Sequence, residues 1–516
     1  MENREPAPAF AWRNTAGIVF VLSGLTLLLH LLFSGRYGFF RDELYYIACG
    51  HHLAWGYVDQ PPLVALIARM SEALLGRSLF AIRFFPALAG AAIVLLAGGL
   101  AGELGGGKWA QGLAALAIVA APAYLAFDSF LSMNAFEPIF WTLCSLIALR
   151  ILRGGDARLW MLFGLVAGIG LLNKNSVLIF GYAIFVALLL TPARRLFRSP
   201  WIWLGAALAL GIFVPNLLWQ WRHGWPQIHV VLNGRLYKDV PVSSGQFMVQ
   251  QALFLGPIAL PVWLAGLWFY FGAREGKPAR LLGVTYVVLL LVFLLLRMKT
   301  YYLLPAYPPL VAGGAAAWER WLRAAKWRWA RVALPAAVAF GGLLTLPYGV
   351  PVLPIASFLR YQRVVGVGRD VKMERDATGV LPQLYADMFG WRHITAVVAQ
   401  VYDALPAEER QGCALLAWNY GEAGAIDHYG RRYALPAAIS GHNEYYLWGP
   451  RGYSGQCVIA IGVPQSLLEE MFGSVEWKAS VVNEYSMPVE DHLPIYLCRR
   501  PRAPLADMWP KLRYYI

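Results

Sequence analysis

Residues 84–103 read FFPALAGAAIVLLAGGLAGE, with no charge between Phe84 and the closing Glu103. A helix rises 1.5 Å per residue, so a run of this length and apolarity is enough to cross a hydrocarbon core of about 30 Å. Similar runs occur near 15–33, 110–127, 136–152, 159–173, 175–190, 201–221, 251–271, 281–297, 303–318 and 332–352. The sequence therefore predicts a mainly α, polytopic membrane helix bundle with about eleven spans.

The composition agrees with this. The chain is 58% apolar and 14% charged, where soluble globular proteins carry about 25% charged residues. A formal charge of +14 would point to nucleic acid in a soluble protein. Here the basic residues gather in short gaps between apolar runs, as Lys108, Arg153 with Arg158, Arg194 with Arg195 and Arg198, Arg274 with Lys277 and Arg280, and Arg320 through Arg331. If the chain starts in the cytoplasm, all these gaps are cytoplasmic, as the positive-inside rule requires. The opposite gaps at 34–83, 128–135, 173–175, 222–250 and 298–302 are richer in acids, His, Asn and aromatics. Twenty-one Trp and 26 Tyr suit the two membrane interfaces. Arg4 and Arg13 precede the first run and no small-residue cleavage site follows it, which reads as a retained first span.

After Pro354 the charges return and the apolar runs shorten to strand length, in Ala414 to Trp418, Val458 to Val463 and Ile495 to Cys498. Trp391 to Leu405 has helical spacing. The expected division is a membrane domain over 1–354 and a C-terminal soluble α/β domain over 355–516, and an odd number of spans places the latter on the outer face. Of five Cys, three lie in this domain, where Cys457 with Cys498 is one conceivable disulfide and buried free thiols are the alternative.

The outer loops hold the chemistry. In Phe39-Phe40-Arg41-Asp42-Glu43-Leu44-Tyr45-Tyr46 two adjacent carboxylates follow the first span, and Asp59 comes later in Tyr57-Val58-Asp59-Gln60-Pro61-Pro62-Leu63. Acids at the mouth of a membrane domain cost desolvation energy unless something pairs or uses them. One reading makes Asp42 the cap of a short interfacial helix. The other makes it a general base that takes a proton from an attacking hydroxyl or amine.

The Asp-Glu pair followed by Asp-x-Pro-Pro-Leu resembles the bacterial members of the dolichyl-phosphate-mannose protein mannosyltransferase superfamily, glycosyltransferase family 39, which includes the lipid A aminoarabinose transferase. Gly168-Ile169-Gly170-Leu171-Leu172-Asn173-Lys174 and Lys299-Thr300-Tyr301-Tyr302-Leu303-Leu304-Pro305-Ala306-Tyr307-Pro308 are similar to two further segments of that family. The resemblance covers about residues 12–320. Asn419-Tyr420-Gly421-Glu422-Ala423-Gly424 and Ser440-Gly441-His442-Asn443 look like stretches attached to many members.

The resemblance implies a glycosyltransferase C fold whose site faces the periplasm of a bacterial inner membrane, with a polyprenyl-phosphate sugar as donor and a lipid, glycan or protein of the envelope as acceptor. Asp42 would be the base, Glu43 a neighbour that orients the acceptor or tunes it, and Asp59 a carboxylate near the donor phosphate or a bound divalent cation. A single displacement with one base predicts inversion at the anomeric carbon.

Arg41 flanks the pair. In 127–138, Asn134 stands where relatives commonly have Asp, so Asp128 or Glu137 is the expected substitute, against a plain capping or pairing role. A leaving phosphate needs cationic partners, and Arg83, Lys174, Lys299, Arg235 and Lys238 lie at outer span ends or loops, with Lys174 and Lys299 favoured by the resemblance; lysines at such ends also snorkel. Tyr301 and Tyr302 would stack on the sugar or join the aromatic belt. His223 and His229 are six apart, a poor spacing for a metal site. The aromatic and polar loops at 420–422 and 441–448 suit carbohydrate contact or domain docking. The rival functions are a transporter or flippase of lipid-linked sugars, which predicts repeat symmetry, and a non-catalytic envelope scaffold.

Overall fold

The computed structural model describes residues 15–323, 327–366, 374–375 and 377–516; Arg4, Arg13 and part of the basic stretch between Arg320 and Arg331 lie outside them. The chain forms two compact units. One comprises 1–35, 80–217 and 241–353, and the other 36–79, 218–240 and 354–516. Pro354 is thus a boundary, while the loops at 36–79 and 218–240 cluster with the C-terminal segment.

The first unit is helical, and each of the eleven apolar runs forms a helix or a pair of helices. Among the described residues, five helices are long and apolar enough to cross a membrane, or seven if each of two bent pairs counts as one span. Gly17–Phe33, Lys108–Val119 and Leu159–Asn173 are apolar but shorter. The run at 251–271 bends by 95° between Ser244–Leu255 and Pro257–Phe271, because Gly256 takes φ +82° and Pro257 has no amide hydrogen to continue the ladder.

Helix Gly17–Phe33 shows how the bundle is made. Val19, Ser23, Thr26 and His30 recur at helical spacing on its buried face, and Val21, Leu25, Leu28 and Leu32 stay exposed on the other. Ser23 Oγ donates to the Ala91 carbonyl at 2.8 Å, so the buried face carries satisfied polar groups and the apolar one is left for lipid. Helices Leu260–Phe271 and Tyr307–Trp321 meet where a Cβ on Gly266 or Gly314 would lie 2.1 Å or 1.8 Å from a carbonyl oxygen of the facing helix. Only glycine permits that approach.

The second unit contains a five-stranded mixed sheet in the order β2-β1-β3-β5-β4, with β1 Cys413–Ala417, β2 Ile439–Ser440, β3 Cys457–Ile461, β4 Phe472–Val481 and β5 Leu493–Pro501. β1 runs parallel to β2 and β3, and β5 antiparallel to β3 and β4. The three strands expected from the sequence are β1, β3 and β5. β1 and β3 are buried throughout, which is why they read as unbroken apolar runs. Helix Trp391–Asp403 buries Trp391, Ile394, Thr395, Val398 and Ala399, the stripe read from its spacing.

The cysteines pair differently from the suggested bridge. Cys413 faces Cys457 across the parallel β1–β3 ladder and bonds to it, whereas Cys498 remains a buried thiol in the apolar cluster under the sheet.

Candidate active site

In the second unit, helix Arg41–His51 opens the first loop. Glu43, fully buried, accepts the Phe40 backbone N–H at 2.8 Å and so caps the helix from its third residue. The cap is Glu43, and Asp42 is left with its side chain 28% exposed.

Asp42 is held from the distant end of the chain. β1 ends at Ala417, and Asn419 caps helix Tyr420–Tyr429, its Oδ1 accepting the Gly421 and Glu422 amides at 2.8 and 3.1 Å. Gly421 and Gly424 let this helix lie on helix Arg41–His51, since a Cβ on Gly424 would sit 3.0 Å from the Leu44 backbone. Tyr420, at the first helical position, then donates its hydroxyl to Asp42 Oδ1 at 2.8 Å.

A parallel arrangement holds Asp59. Tyr45, from the helix that carries Asp42, stacks on Tyr420 with ring centroids 4.5 Å apart and donates its hydroxyl to Asp59 Oδ1 at 2.7 Å. The loop bearing Asp59 is pinned by Val58 N–H donating to Glu444 Oε2 at 3.0 Å and by Gln220 Nε2 donating to the Tyr57 carbonyl at 2.9 Å. Burial pushes the Asp59 carboxyl up to about 6, against the Tyr45 hydroxyl and Lys238, which lower it; the charge of Asp42 adds to the rise.

Arg41 is the cation of the site. Its guanidinium lies 3.6 Å from Asp42, 3.6 Å from Glu374 and 3.7 Å from Asp387. Burial works against its charge, and these carboxylates outweigh that and keep it protonated. Asp387 is itself pushed up to about 7 by burial, which the Arg41 cation only partly offsets. Lys238 pairs with Glu374 at 3.1 Å.

Arg235 lies in the second unit, in the short helical turn Gly234–Lys238, and the other expected residues, Arg83, Asp128, Asn134, Glu137, Lys174, Lys299, Tyr301 and Tyr302, belong to the first. Lys174 Nζ donates to Asn134 Oδ1 at 2.8 Å and pairs with Glu137 Oε2 at 2.7 Å, while Ser176 Oγ donates to the other Glu137 oxygen. Tyr302 and Tyr301 place their rings 4.2 and 5.7 Å from the same ammonium. Glu137 is thus an internal ion-pair partner, the plainer of its two expected roles. Arg83 is buried and donates to the Ser34 carbonyl at 2.8 Å, which makes it a clamp between the ends of two helices. Asp128 is buried against Gly90. Lys299 precedes the 3-10 helix Thr300–Ala306 that carries Tyr301 and Tyr302.

Among the described residues, no group of three or more His, Cys, Asp or Glu side chains is placed to hold a metal ion. His223 stacks on Trp219, with its Nδ1 2.8 Å from the Trp219 carbonyl, and His229 lines a separate cavity with Arg513 and Tyr515.

Sequence reading missed Asp387 and Glu374 and the tyrosine hydroxyls that hold the two acids. Glu374 sits in a segment with no motif around it. The aromatic run Tyr45-Tyr46 beside the acids was the available signal.

Residues 59–219 match the family described as dolichyl-phosphate-mannose-protein mannosyltransferase. None of the curated proteins matches the chain. Among solved structures, ArnT from Cupriavidus metallidurans bound to undecaprenyl phosphate superposes with a TM-score of 0.62 at 15% identity, over 93% of this chain and 98% of that one. The apo form of the same protein gives 0.59 at 16%, with the same coverage. The chain has a glycosyltransferase C fold. The resemblance drawn from the motifs is therefore borne out, as is the mainly helical class with a C-terminal sheet domain. The matched stretch begins at Asp59 and includes Lys174.

Proposed function

We propose that the chain transfers a sugar from a polyprenyl-phosphate donor to an acceptor of the cell envelope, on the periplasmic face of a bacterial inner membrane, with Asp42 as general base. The observation that carries this reading is Asp42 itself, a partly exposed carboxylate fixed by the Tyr420 hydroxyl at 2.8 Å in the loop that also presents Asp59. The multi-pass helical unit, the family match and the ArnT fold support a lipid-borne donor. So does chemistry: nucleotide sugars do not occur outside the membrane.

In this scheme the acceptor oxygen attacks the anomeric carbon, its proton passes to Asp42, and the bond to the lipid phosphate breaks with inversion. Asp59, pushed up to about 6, is protonated in a larger fraction than an ordinary carboxylate and repels an approaching phosphate less. Glu43 acts as a positioning residue, through the helix cap that orients Asp42. In the first unit, Lys174 is preorganised by Asn134 and Glu137.

The test is purified protein in liposomes with radiolabelled polyprenyl-phosphate sugars and an envelope extract. Label moving from the lipid to an acceptor is the expected result. Donor that crosses the bilayer with its sugar still attached would replace the transferase with a flippase.

A further inference from the structure

The second unit has a half-open cavity of about 140 Å3 next to Asp42, since Arg41 and Tyr420, which both touch that carboxylate, line it. One wall is aromatic. The Trp418 and Tyr514 rings lie within 18° of parallel with centroids 5.7 Å apart, and His442 sits 5.0 Å from Tyr514 and 4.6 Å from Tyr420.

The polar groups facing this wall are set for hydrogen bonding. His442 is 5% exposed, and its Nδ1 accepts the Tyr420 amide. Burial holds the ring neutral, with Lys238 and Arg41 adding to that effect, so Nε2 carries the proton. That donor faces the Ile516 backbone. Asn419 and Glu490 add a shared hydrogen bond at 2.8 Å at the cavity edge.

The cations there are already matched. Lys238 pairs with Glu374 at 3.1 Å, and Arg41 lies between Glu374, Asp387 and Asp42. A phosphate or carboxylate would meet no surplus of positive charge among these residues, whereas a ring with an apolar C–H face and hydroxyl edges meets an aromatic wall beside the polar side chains of Asn419, His442 and Glu490.

We propose that this cavity holds one uncharged sugar ring of the acceptor, laid against the Trp418 ring that Tyr514 backs, with a hydroxyl directed at Asp42. This deepens the transferase reading and rests on it. The hydroxyl oxygen forms the new bond to the anomeric carbon of the donor, and its proton goes to Asp42. The donor's bond to phosphate oxygen breaks, and its electron pair leaves on the polyprenyl phosphate. The acceptor class is thereby a neutral glycan and not an anionic head group.

The experiment is ligand-observed NMR on the full-length protein in nanodiscs, with methyl hexopyranosides and methyl pentofuranosides as neutral probes and a hexose 6-phosphate as the anionic one. Trp418→Ala is expected to weaken the best neutral probe by about tenfold, with Trp418→Phe recovering it to within about threefold. The proposal is overturned if no methyl glycoside binds, if Trp418→Ala binds as wild type does, or if the phosphorylated sugar binds more tightly through Lys238. Wild type that binds the glycoside but consumes no polyprenyl-phosphate sugar would sink the transferase reading and leave the cavity assignment standing.

Discussion

Asp42 and Asp59 come from one loop, and each hangs on the hydroxyl of one member of a stacked tyrosine pair. Tyr420→Phe keeps the ring and removes the donor to Asp42, so transfer should fall by about tenfold, the scale of a hydrogen bond to a charged group, while the melting temperature holds. Unchanged turnover would mean that Tyr420 does not position the base. Asp59 yields a prediction about pH. Its folded pKa, raised to about 6 chiefly by burial, means the folded protein binds the proton more tightly than the unfolded chain does. Its contribution is therefore most favourable below the ordinary carboxylate value and is lost as pH rises through about 6. Asp59→Asn, which keeps an acceptor for Tyr45, should melt above wild type at pH 7, with the gain disappearing near pH 4 in thermal scans. The two acids were legible because paired carboxylates beside an apolar span demand an explanation. Tyr420 was not legible as their partner, since it lies 378 residues from Asp42 and only the fold of the second unit joins them.

At the scale of elements, the cap of helix Arg41–His51 separates a structural from a chemical role for Glu43. Glu43→Ala should destabilise by about 1 kcal/mol from the lost cap, read as a lower melting temperature. Glu43→Gln retains an acceptor for Phe40 and should keep transfer within about tenfold of wild type; a loss as deep as that of Asp42→Asn would give Glu43 a direct part in the chemistry. The Cys413–Cys457 bond closes a span of 44 residues, and chain-entropy arguments put its contribution at about 4 kcal/mol. Cys413→Ser should show a clear fall in melting temperature under oxidising conditions, and Cys498→Ser, which breaks no bond, a smaller one. The buried strands β1, β3 and β5 showed in the sequence as apolar runs. β4 did not, because at the sheet edge its interior residues are exposed or half-buried, with Glu476, Trp477 and Lys478 exposed in a row, and it follows helix Gln465–Met471 without a turn signal. The pairing of Cys413 with Cys457 was equally invisible, being fixed by the parallel register of two strands.

At the scale of the whole molecule, hydropathy located the helices but not their lengths. Gly256 with Pro257 turns one apolar run into two helices, and Pro122 starts a new helix inside another. The loops at 36–79 and 218–240 read as connectors because each lies between apolar runs, yet both cluster with the C-terminal segment. Such long-range association leaves no local pattern in the sequence. The central claim is that Asp42 takes the acceptor proton, and the most direct test is single-turnover transfer from a radiolabelled polyprenyl-phosphate sugar by wild type and Asp42→Asn at matched folding. A fall of about a hundredfold or more in the transfer rate, with donor still bound, is the predicted result. Equal rates for the two proteins would contradict it and remove Asp42 as the base.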